Sequence, residues 1–279
     1  MLSLSKHERC LFERAILEDT MAYEFIKYEK QGRIACITIN RPEVMNALHP
    51  PANEELSKAW DAFADDPDAW VAIVTGAGDK AFSAGNDLKY SAQHGMGAVS
   101  LPAGGFGGIC ARFDLFKPVI AAVNGLALGG GFEIALACDI IVAADTARFG
   151  LPEPRVGLAA LAGGMQRLPF HIPPKIAMGY MLTGKHMSAA EAHRFGIVNE
   201  VVPAADLRAT AERWANEILA CSPSSVRASK QVAVLSQGLP LEESMKKSYP
   251  LLGALFQSED MMEGVMAFAQ KRKPEWKGK

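Results

Sequence analysis

Short, almost wholly apolar runs separated by turns and helical segments are the feature that most limits how this chain can fold. The clearest of these runs are Val71–Thr75, Pro118–Val123 and Ile140–Ala144. Polar residues do not alternate with apolar ones inside them, which is typical of strands buried on both faces. Strands of this kind that alternate with helices predict an α/β core.

The rest of the first two hundred residues fits the same pattern. Two β-rich runs, Tyr23–Glu29 and Arg33–Asn40, predict an opening hairpin. Helical spacing is found over Asn46–Phe63, Ile109–Phe116 and Phe132–Cys138. The segment His94–Gly108 is rich in Gly and Ala, so we expect it to be the most mobile loop.

From about Ser188 onward the strand pattern fades and helical spacing dominates. It predicts helices over Ala189–Phe195, Ala204–Cys221, Ser224–Ser236, Leu241–Leu255 and Ser258–Gln270. We therefore divide the chain into a mixed core over residues 21–205 and a helical C-terminal region over residues 206–279. Residues 1–20 resemble neither a signal peptide nor a clean transit peptide, and we expect them to be an extension outside the fold.

Bulk composition narrows the class of protein. The 279 residues are 49% hydrophobic and 22% charged, which allows one large core or a core with an appended subdomain. The net charge is −2 and the basic residues are scattered apart from Lys271–Lys273, which disfavours nucleic acid as a partner. Polar residues such as Asn124 and Asp139 interrupt every long apolar run, so no membrane span is predicted.

The cysteines and histidines do not form a recognisable metal site. Five cysteines stand at irregular spacings without a C-x-x-C pair, and the six histidines include no H-E-x-x-H pattern. We therefore expect free thiols in a reducing compartment and no bound metal.

Three consecutive glycines, Gly129, Gly130 and Gly131, stand between an apolar strand and the helix predicted from Phe132. Such a turn leaves backbone N–H groups unpaired, and the missing side chains let a ligand approach them closely. The helix dipole also favours negative charge at this end. The pattern predicts an anion or oxyanion site, although tight packing of helix on strand would also require small residues.

Two acids could work together with this turn: Glu133 in the first turn of the helix, and Glu153 between two prolines in a stiff loop. The helix would carry the chain ~12 Å outward, and the strand Ile140–Ala144 could bring it back ~16 Å. The carboxylates could then hold one water, with one acid as base and the other exchanging a proton with carbon. The alternative is a helix-terminal charge and an unrelated surface acid.

A third segment, Lys80–Leu88, follows a strand and a turn and could supply a second outward-facing amide at Ala84. Two converging amides suit a thioester, because addition or deprotonation beside its carbonyl places charge on the oxygen. Ser83 lies in an incomplete G-x-S-x-G pattern with no His/Asp pair to serve it, which argues against a hydrolase. Gly179–His186 is an incomplete P-loop, and no Rossmann fingerprint is present.

Taken in order, these segments resemble the crotonase (enoyl-CoA hydratase/isomerase) superfamily from about Tyr23 to Lys277. The matching stretches are Lys117–Gly125, Ala127–Glu133, Cys138–Asp139 and Phe149–Glu153, followed by Ala162–Leu168 and Thr183–Val198. Within the superfamily, features similar to the carnitinyl-CoA dehydratase branch are found at Gly104–Gly108, Ile172–Pro174 and Ser258–Lys277.

The resemblance implies an α/β fold with a spiral core of repeated ββα units. It also implies a helical C-terminal region that assembles homotrimers, or homohexamers as dimers of trimers, and completes the CoA site. The implied oxyanion hole consists of the amides of Ala84 and Gly130. Glu133 would activate the water added at C3, and Glu153 would exchange the proton at C2.

Further contacts with the substrate are also implied by the resemblance. The thioester would be lined by Gly85, Asn86 and Asp87. CoA would be contacted by Lys89, and by Phe268 and Lys271 supplied from a neighbouring subunit. An apolar acyl pocket is suggested by Tyr90, Met96, Phe106 and Phe113, without identifying the acyl group.

The activity expected from the resemblance is enoyl-CoA hydration by a cytoplasmic enzyme of fatty acid metabolism. Its partner would be an acyl-CoA substrate, with no cofactor besides the CoA of that substrate and with neither nucleic acid nor membrane as a partner. Dehydration of a 4-trimethylammonio-3-hydroxyacyl-CoA and double-bond isomerisation at the same site stay open. A non-catalytic CoA-binding or RNA-binding member of the fold is a further alternative.

Overall fold

A computed structural model of the chain describes residues 23–95 and 100–279. The predicted N-terminal extension over residues 1–20 and the pocket residue Met96 lie outside the described residues. Within the described ranges, no helix combines the length and the apolar character needed to cross a bilayer. The chain enters the fold through β1 (Ile26–Gln31) and β2 (Ile34–Ile39), which pair antiparallel and confirm the predicted hairpin.

The first long helix, α1 (Pro50–Asp65), begins later than the sequence predicted. Its buried face contains Leu56, Ala59, Trp60 and Phe63, as expected from their spacing. The predicted start at Asn46 is wrong, because this buried residue has a φ of +55° and its side-chain amide donates to carbonyls of the next loop. A residue with left-handed backbone geometry cannot begin a right-handed helix. Pro50 suits the first turn, because proline lacks an N–H and the N–H groups of that turn have no partner within the helix.

Three successive units then repeat one pattern, in which two strands lead into a helical segment. The first contains β3 (Val71–Gly76), β4 (Ala81–Ser83) and α2 (Leu88–His94). The second contains β5 (Val119–Val123), β6 (Leu126–Leu128) and α3 (Gly130–Ala137). The third contains β7 (Ile140–Ala144), β8 (Arg148–Gly150), a 3-10 turn (Glu153–Val156) and α4 (Gly164–His171).

After these units come α5 (Pro174–Thr183), β9 (Met187–Ser188), α6 (Ala189–Arg194) and β10 (Glu200–Val202). The C-terminal helices are α7 (Leu207–Leu219), α8 (Pro223–Leu235), α9 (Leu241–Lys246), α10 (Pro250–Leu255) and α11 (Glu259–Ala269). Helices α4 and α5 and the strand β10 were not predicted from the sequence. The strand is short and only half-buried, so its side chains do not form an apolar run.

The two strands of each unit belong to different sheets. The larger sheet has the order β1-β2-β3-β5-β7-β10 and the smaller one the order β4-β6-β8-β9. All pairs in the larger sheet are parallel except the opening hairpin. Because each unit adds one strand to each sheet, the carboxyl ends of β6 and β8 lie side by side and lead into the two segments that carry Glu133 and Glu153.

Two predicted helices differ from the structure. Ile109–Phe116 is not helical: a turn over residues 109–111 is followed by irregular chain. Just before it, Gly107 accepts a hydrogen bond from Trp60 and donates one to Asn53. The end of the predicted mobile loop is therefore buried and anchored. The predicted helix Leu241–Leu255 is split into α9 and α10, because Pro250 disfavours helical geometry in the residue before it.

The C-terminal helices divide into two groups by what they contact. Helix α7 packs across β3, β5 and β7 of the larger sheet, although the sequence assigned it to the C-terminal region. Helices α8, α10 and α11 pack mainly on one another. The proposed boundary near residue 205 stays a prediction.

Candidate active site

Glu133 stands in the first turn of α3, which begins two residues earlier than predicted. Gly129 caps this helix and accepts a hydrogen bond from the Glu133 N–H at 3.0 Å. The Glu133 side chain is only 3% exposed, and its Oε1 accepts a hydrogen bond from the Gly164 N–H at 2.8 Å. Helix α3 is apolar on nearly all sides and almost wholly buried, which places this carboxylate inside the protein.

The environment of Glu133 disfavours its charged form. Burial raises the pKa of Glu133 to about 7, and the nearby charge of Glu153 acts in the same direction. The hydrogen bond from Gly164 acts in the opposite direction and lowers the pKa. A carboxyl group with a pKa near neutrality can both accept and donate a proton at physiological pH, which suits general acid–base catalysis.

Glu153 is the first residue of the 3-10 turn that follows β8. Burial raises the pKa of its carboxyl group as well. Its Oε2 atom is buried and has no hydrogen-bond partner among the described residues. Buried carboxylate oxygens nearly always have partners, so this oxygen keeps its capacity to bind a ligand or a water.

The two acids meet at the N-terminus of α3. The Gly129 N–H donates to the Gly150 carbonyl at 2.9 Å, which ties the two loops together. A Cβ atom on Gly129 would lie 2.9 Å from Glu153 Oε1, so the carboxylate lies against this glycine. The structure therefore brings Glu153 to the helix end whose first turn carries Glu133.

Two backbone N–H groups from different loops meet at this end, and neither has a partner among the described residues. The first is Gly130 N–H, which as the first residue of α3 has no carbonyl within the helix to bind. The prediction that Ala84 supplies the second is wrong, because its N–H already donates to the Met45 carbonyl at 3.0 Å.

The second unpaired amide belongs to Asn86. Leu48 donates its N–H to Gly85 O at 2.8 Å and accepts from the Asp87 N–H at 3.0 Å. In a parallel bridge of this kind, the residue between the two bonded groups turns its own N–H and C=O to the other side. A Cβ atom on Gly85 would lie 2.8 Å from Gly130 N, so the Gly85–Asn86 peptide lies beside the N-terminus of α3.

The comparisons with known proteins agree with this geometry. A family model described as enoyl-CoA hydratase/isomerase matches residues 29–279. The chain belongs to this family. It is 43% identical over 262 residues to the carnitinyl-CoA dehydratase of Salmonella arizonae, covering 91% of this chain and 99% of that protein. It is equally identical over 263 residues to the protein of the same name from Escherichia coli (strain K12), covering 92% and 99%.

Solved structures of family members share the fold. An enoyl-CoA hydratase from Mycobacterium tuberculosis H37Rv has a TM-score of 0.86 at 40% identity, covering 91% of this chain and 99% of that one. An enoyl-CoA hydratase from Bacillus anthracis has a TM-score of 0.85 at 34% identity, covering 92% and 100%. These likenesses confirm the predicted crotonase fold, and the named activities of the relatives are those of hydro-lyases.

The contacts expected from the family resemblance lie in different surroundings. Gly85 is buried with a φ of +86°, and its lack of a side chain permits the close approach to α3. Asp87 is only 8% exposed, and its carboxylate accepts hydrogen bonds from Arg41 and from the Tyr90 N–H; its contact with the thioester stays a prediction. Lys89 is exposed on α2, Phe268 is 88% exposed, and Lys271 is exposed just after α11. Their contacts with CoA stay predictions.

Two residues that shape the site, Gly164 and Arg167, were not assigned a role in it from the sequence, whereas Phe106 was expected in the acyl pocket. Gly164 donates to Glu133, as described above. Phe106 packs its ring on Gly130, where a Cβ atom would lie 2.3 Å from Phe106 Cε1. Arg167 donates to the carbonyls of Ala162 and Cys110, and its charge counteracts the rise in the pKa of Glu133. The sequence showed the glycine pair at 163–164 but not which acid it would bind.

Two further findings concern metals and thiols. Across residues 23–95 and 100–279, no group of three or more His, Cys, Asp or Glu side chains could hold a metal ion. Free thiols in the same ranges are Cys36, Cys110, Cys138 and Cys221.

Proposed function

We propose that this chain is an enoyl-CoA hydratase, which adds water reversibly across the 2,3 double bond of a 2-enoyl-CoA thioester. The observation that carries the proposal is the meeting of two desolvated carboxylates, Glu133 and Glu153, beside the unpaired amides of Asn86 and Gly130. Side chains that exchange protons and donors that stabilise an enolate are the two requirements of this reaction.

In the proposed mechanism the thioester oxygen accepts hydrogen bonds from the amides of Asn86 and Gly130. Ionised Glu133 removes a proton from water as the hydroxide adds to C3, and the negative charge moves onto the thioester oxygen as an enolate. Protonated Glu153 then delivers a proton to C2. The hydrogen bond from Gly164 favours the ionised form of Glu133, whereas the unpartnered oxygen of Glu153 suits a protonated acid.

A second candidate is dehydration of a 4-trimethylammonio-3-hydroxyacyl-CoA at the same site. It is favoured by the 43% identity to proteins named carnitinyl-CoA dehydratase. This reaction reverses the same chemistry on a substrate with a cationic acyl chain, so the catalytic groups would keep their roles.

Steady-state assays of the purified chain with crotonyl-CoA and with crotonobetainyl-CoA separate the candidates. A higher kcat/KM for crotonyl-CoA supports the hydratase, and a higher value for crotonobetainyl-CoA supports the second candidate. If neither thioester is hydrated although the protein binds CoA thioesters, both proposals fail and an isomerase or a non-catalytic binder is favoured. The assay needs no added cofactor, because CoA enters with the substrate.

We further propose that the enzyme works in the cytoplasm as a homotrimer or homohexamer, in fatty acyl-CoA metabolism. Its C-terminal helices expose Met245, Phe256 and Phe268 by 79%, 67% and 88%. Where exposed apolar side chains form a contiguous patch, they mark an interaction surface. Sedimentation analysis would give the mass of three or six chains, and a monomer at micromolar concentration would contradict the proposed assembly.

A further inference from the structure

The loop that carries Asn86 is held by an ion pair that the proposed chemistry does not use. Asp87 Oδ2 accepts a hydrogen bond from Arg41 Nη1 at 3.1 Å, and Asp87 Oδ1 accepts one from the Tyr90 N–H, also at 3.1 Å. The two charged side chains are only 12% and 10% exposed. Both oxygens of this carboxylate are therefore engaged within the protein.

The ion pair joins two segments of the chain on either side of the amide. Arg41 Nη1 also donates to the carbonyl of Ala47, one residue before Leu48. Leu48 in turn forms the two backbone hydrogen bonds that flank Asn86. The Arg41 side chain thus connects the strand-like segment that pairs with the loop to the residue immediately after Asn86.

The charges of this pair hold one another in place. Burial disfavours ionisation of Asp87, but the Tyr90 N–H and the Arg41 guanidinium outweigh it and keep the pKa of this carboxyl below its ordinary value. Asp87 is therefore ionised at neutral pH. Removal of either partner would leave the other charge largely withdrawn from water and uncompensated.

A second connection runs from the side chain of Asn86 to the same aspartate. Asn86 Nδ2 donates to Ser91 Oγ at 3.0 Å, and this hydroxyl donates to the Asp87 carbonyl at 3.1 Å. Ser91 is only 2% exposed, so water does not compete readily for these bonds. Backbone and side-chain connections of Asn86 both depend on where Asp87 stands.

We propose that Arg41 and Asp87 are positioning residues for the oxyanion hole, whose buried ion pair sets the direction of the Asn86 N–H. The inference rests on the proposed function, since it requires this amide to bind the thioester oxygen. In this role the two side chains act through the Asn86 peptide, since their polar ends bind protein groups. A donor displaced by a fraction of an ångström still permits binding of the thioester but stabilises the enolate less well.

The variant Asp87→Asn tests the ion pair without removing the cap of α2. Asparagine can still accept the Tyr90 N–H hydrogen bond and is a good N-cap residue, but it carries no charge. We expect kcat to fall about 10- to 100-fold while KM changes much less. Arg41→Lys keeps the charge but loses the guanidinium Nη1 group that donates both to Asp87 Oδ2 and to the Ala47 carbonyl, so its kcat should lie between those of the parent and Asp87→Asn.

The matched control is Asp139→Asn. Asp139 also accepts a hydrogen bond from a backbone N–H, that of Val119, at 2.7 Å. It also forms an ion pair with Lys230 Nζ at 2.6 Å. It lies beyond the other end of α3 and has no contact with the loop around Asn86 among the hydrogen bonds described for residues 23–95 and 100–279. An unchanged kcat in this variant would show that loss of a partly buried ion pair is not sufficient to impair turnover.

A direct readout is the ionisation of acetoacetyl-CoA bound to the protein, because its enolate absorbs in the near ultraviolet. The parent protein should lower the pKa of the bound 3-oxoacyl thioester, and Asp87→Asn should raise it again by about one unit for each tenfold loss of enolate stabilisation. No enolate on the parent protein would overturn the proposed function. Enolate on the parent and equally on Asp87→Asn, with unchanged kcat, would overturn only the positioning role. If Asp87→Asn does not fold, Arg41→Lys undergoes the same measurements.

Discussion

The two carboxylates of the site and its two amides are held in opposite ways. Glu133 accepts a hydrogen bond from the Gly164 N–H, and Glu153 keeps a buried oxygen without a partner among the described residues. The amides of Asn86 and Gly130, by contrast, are fixed by paired backbone groups beside them: Gly85 O and the Asp87 N–H bind Leu48, and the Gly129 N–H donates to Gly150 O. The acids become reactive because water and partners are removed from them, whereas the donors become usable because the adjacent backbone bonds hold their own N–H groups without an acceptor.

This difference has an energetic consequence. Desolvated carboxylates and unpaired N–H groups both reduce the stability of the folded chain. The carboxylates can relieve part of that cost by taking up a proton, as the raised pKa of Glu133 indicates. The amides cannot change their charge, so only a bound acceptor can satisfy them.

The largest effects are expected when either acid is neutralised. Glu133→Gln and Glu153→Gln each preserve the size of the side chain but remove its ability to exchange a proton. We expect each variant to hydrate crotonyl-CoA at least ~10²-fold more slowly while it binds CoA thioesters nearly as well as the parent. Stopped-time hydration assays and calorimetric titration with a non-reactive acyl-CoA measure the two quantities.

A suitable control for these variants is Glu55→Gln. Glu55 also accepts backbone hydrogen bonds, from the N–H groups of Glu24 at 2.9 Å and Phe25 at 2.8 Å, but it holds the opening hairpin. Its kcat should match that of the parent. Parental hydration rates in Glu133→Gln or Glu153→Gln would instead refute the paired-carboxylate mechanism.

The next largest effect concerns the amides, which side-chain substitution cannot remove. In an Asn86→Ala background, lactic acid in place of residue 86 exchanges the N–H for an ester oxygen. We expect kcat to fall ~10²- to 10³-fold relative to Asn86→Ala, with little loss of stability because this N–H has no partner in residues 23–95 and 100–279.

Lactic acid in place of Ala84 gives the opposite result if the assignment is correct. It removes the hydrogen bond to the Met45 carbonyl and should cost about 1 kcal/mol of stability without lowering kcat. If the ester at position 84 abolishes turnover and the one at position 86 does not, Ala84 is the donor and the role given to Asn86 is wrong.

The same contrast explains what the sequence could and could not predict. Glu133 and Glu153 were identified because the lengths of the intervening helix and strand could bring both acids to one end of the core, and because the crotonase resemblance implied both. The second amide was assigned to the wrong residue, because every residue except proline has an N–H. Which N–H is free depends on a bridge between Leu48 and Asn86, residues that are distant in sequence.

The fold shows a similar division. The buried strands β3, β5 and β7 and the face of α1 follow from local apolar patterns, and the structure confirms them. Segments whose conformation depends on distant partners were predicted wrongly. Ile109–Phe116 satisfied helical spacing but forms a turn followed by irregular chain, and Asn46 was placed in a helix although its side chain needs a left-handed backbone to reach the next loop.

A smaller effect should appear in the pH dependence of stability. The pKa of Glu133 rises from an ordinary value of 4.5 to about 7 on folding, so the folded state binds the proton more tightly than the unfolded state does. Protonation of Glu133 therefore contributes fully to the free energy of unfolding below pH 4.5. This contribution is lost as the pH rises through about 7. Glu133→Gln should therefore be more stable than the parent above pH 7, by a difference of the order of 3 kcal/mol.

Urea unfolding at pH 5 and at pH 8.5 measures this difference, which should be much smaller at the lower pH. A variant that is less stable than the parent at the higher pH would contradict the view that Glu133 is held in the protein at a cost. It would also weaken the contrast between the acids and the amides.

The smallest effect on turnover is expected from Gly129→Ala, at the N-terminus of α3 where the carboxylates and the amides meet. Gly129 has a φ of +54°, and its new Cβ would lie 2.9 Å from Glu153 Oε1. Gly32→Ala is the matched control, since Gly32 has a φ of +61° in the hairpin turn and open space around it. Gly32→Ala should lose about 1–2 kcal/mol of stability through backbone strain, and Gly129→Ala should lose at least as much, because its ψ of −127° lies outside the left-handed helical region. Only Gly129→Ala should also lower kcat, because the added methyl displaces the Glu153 carboxylate from the end of α3. Equal turnover in the two variants would mean that Glu153 tolerates this displacement and is held less strictly than the amides.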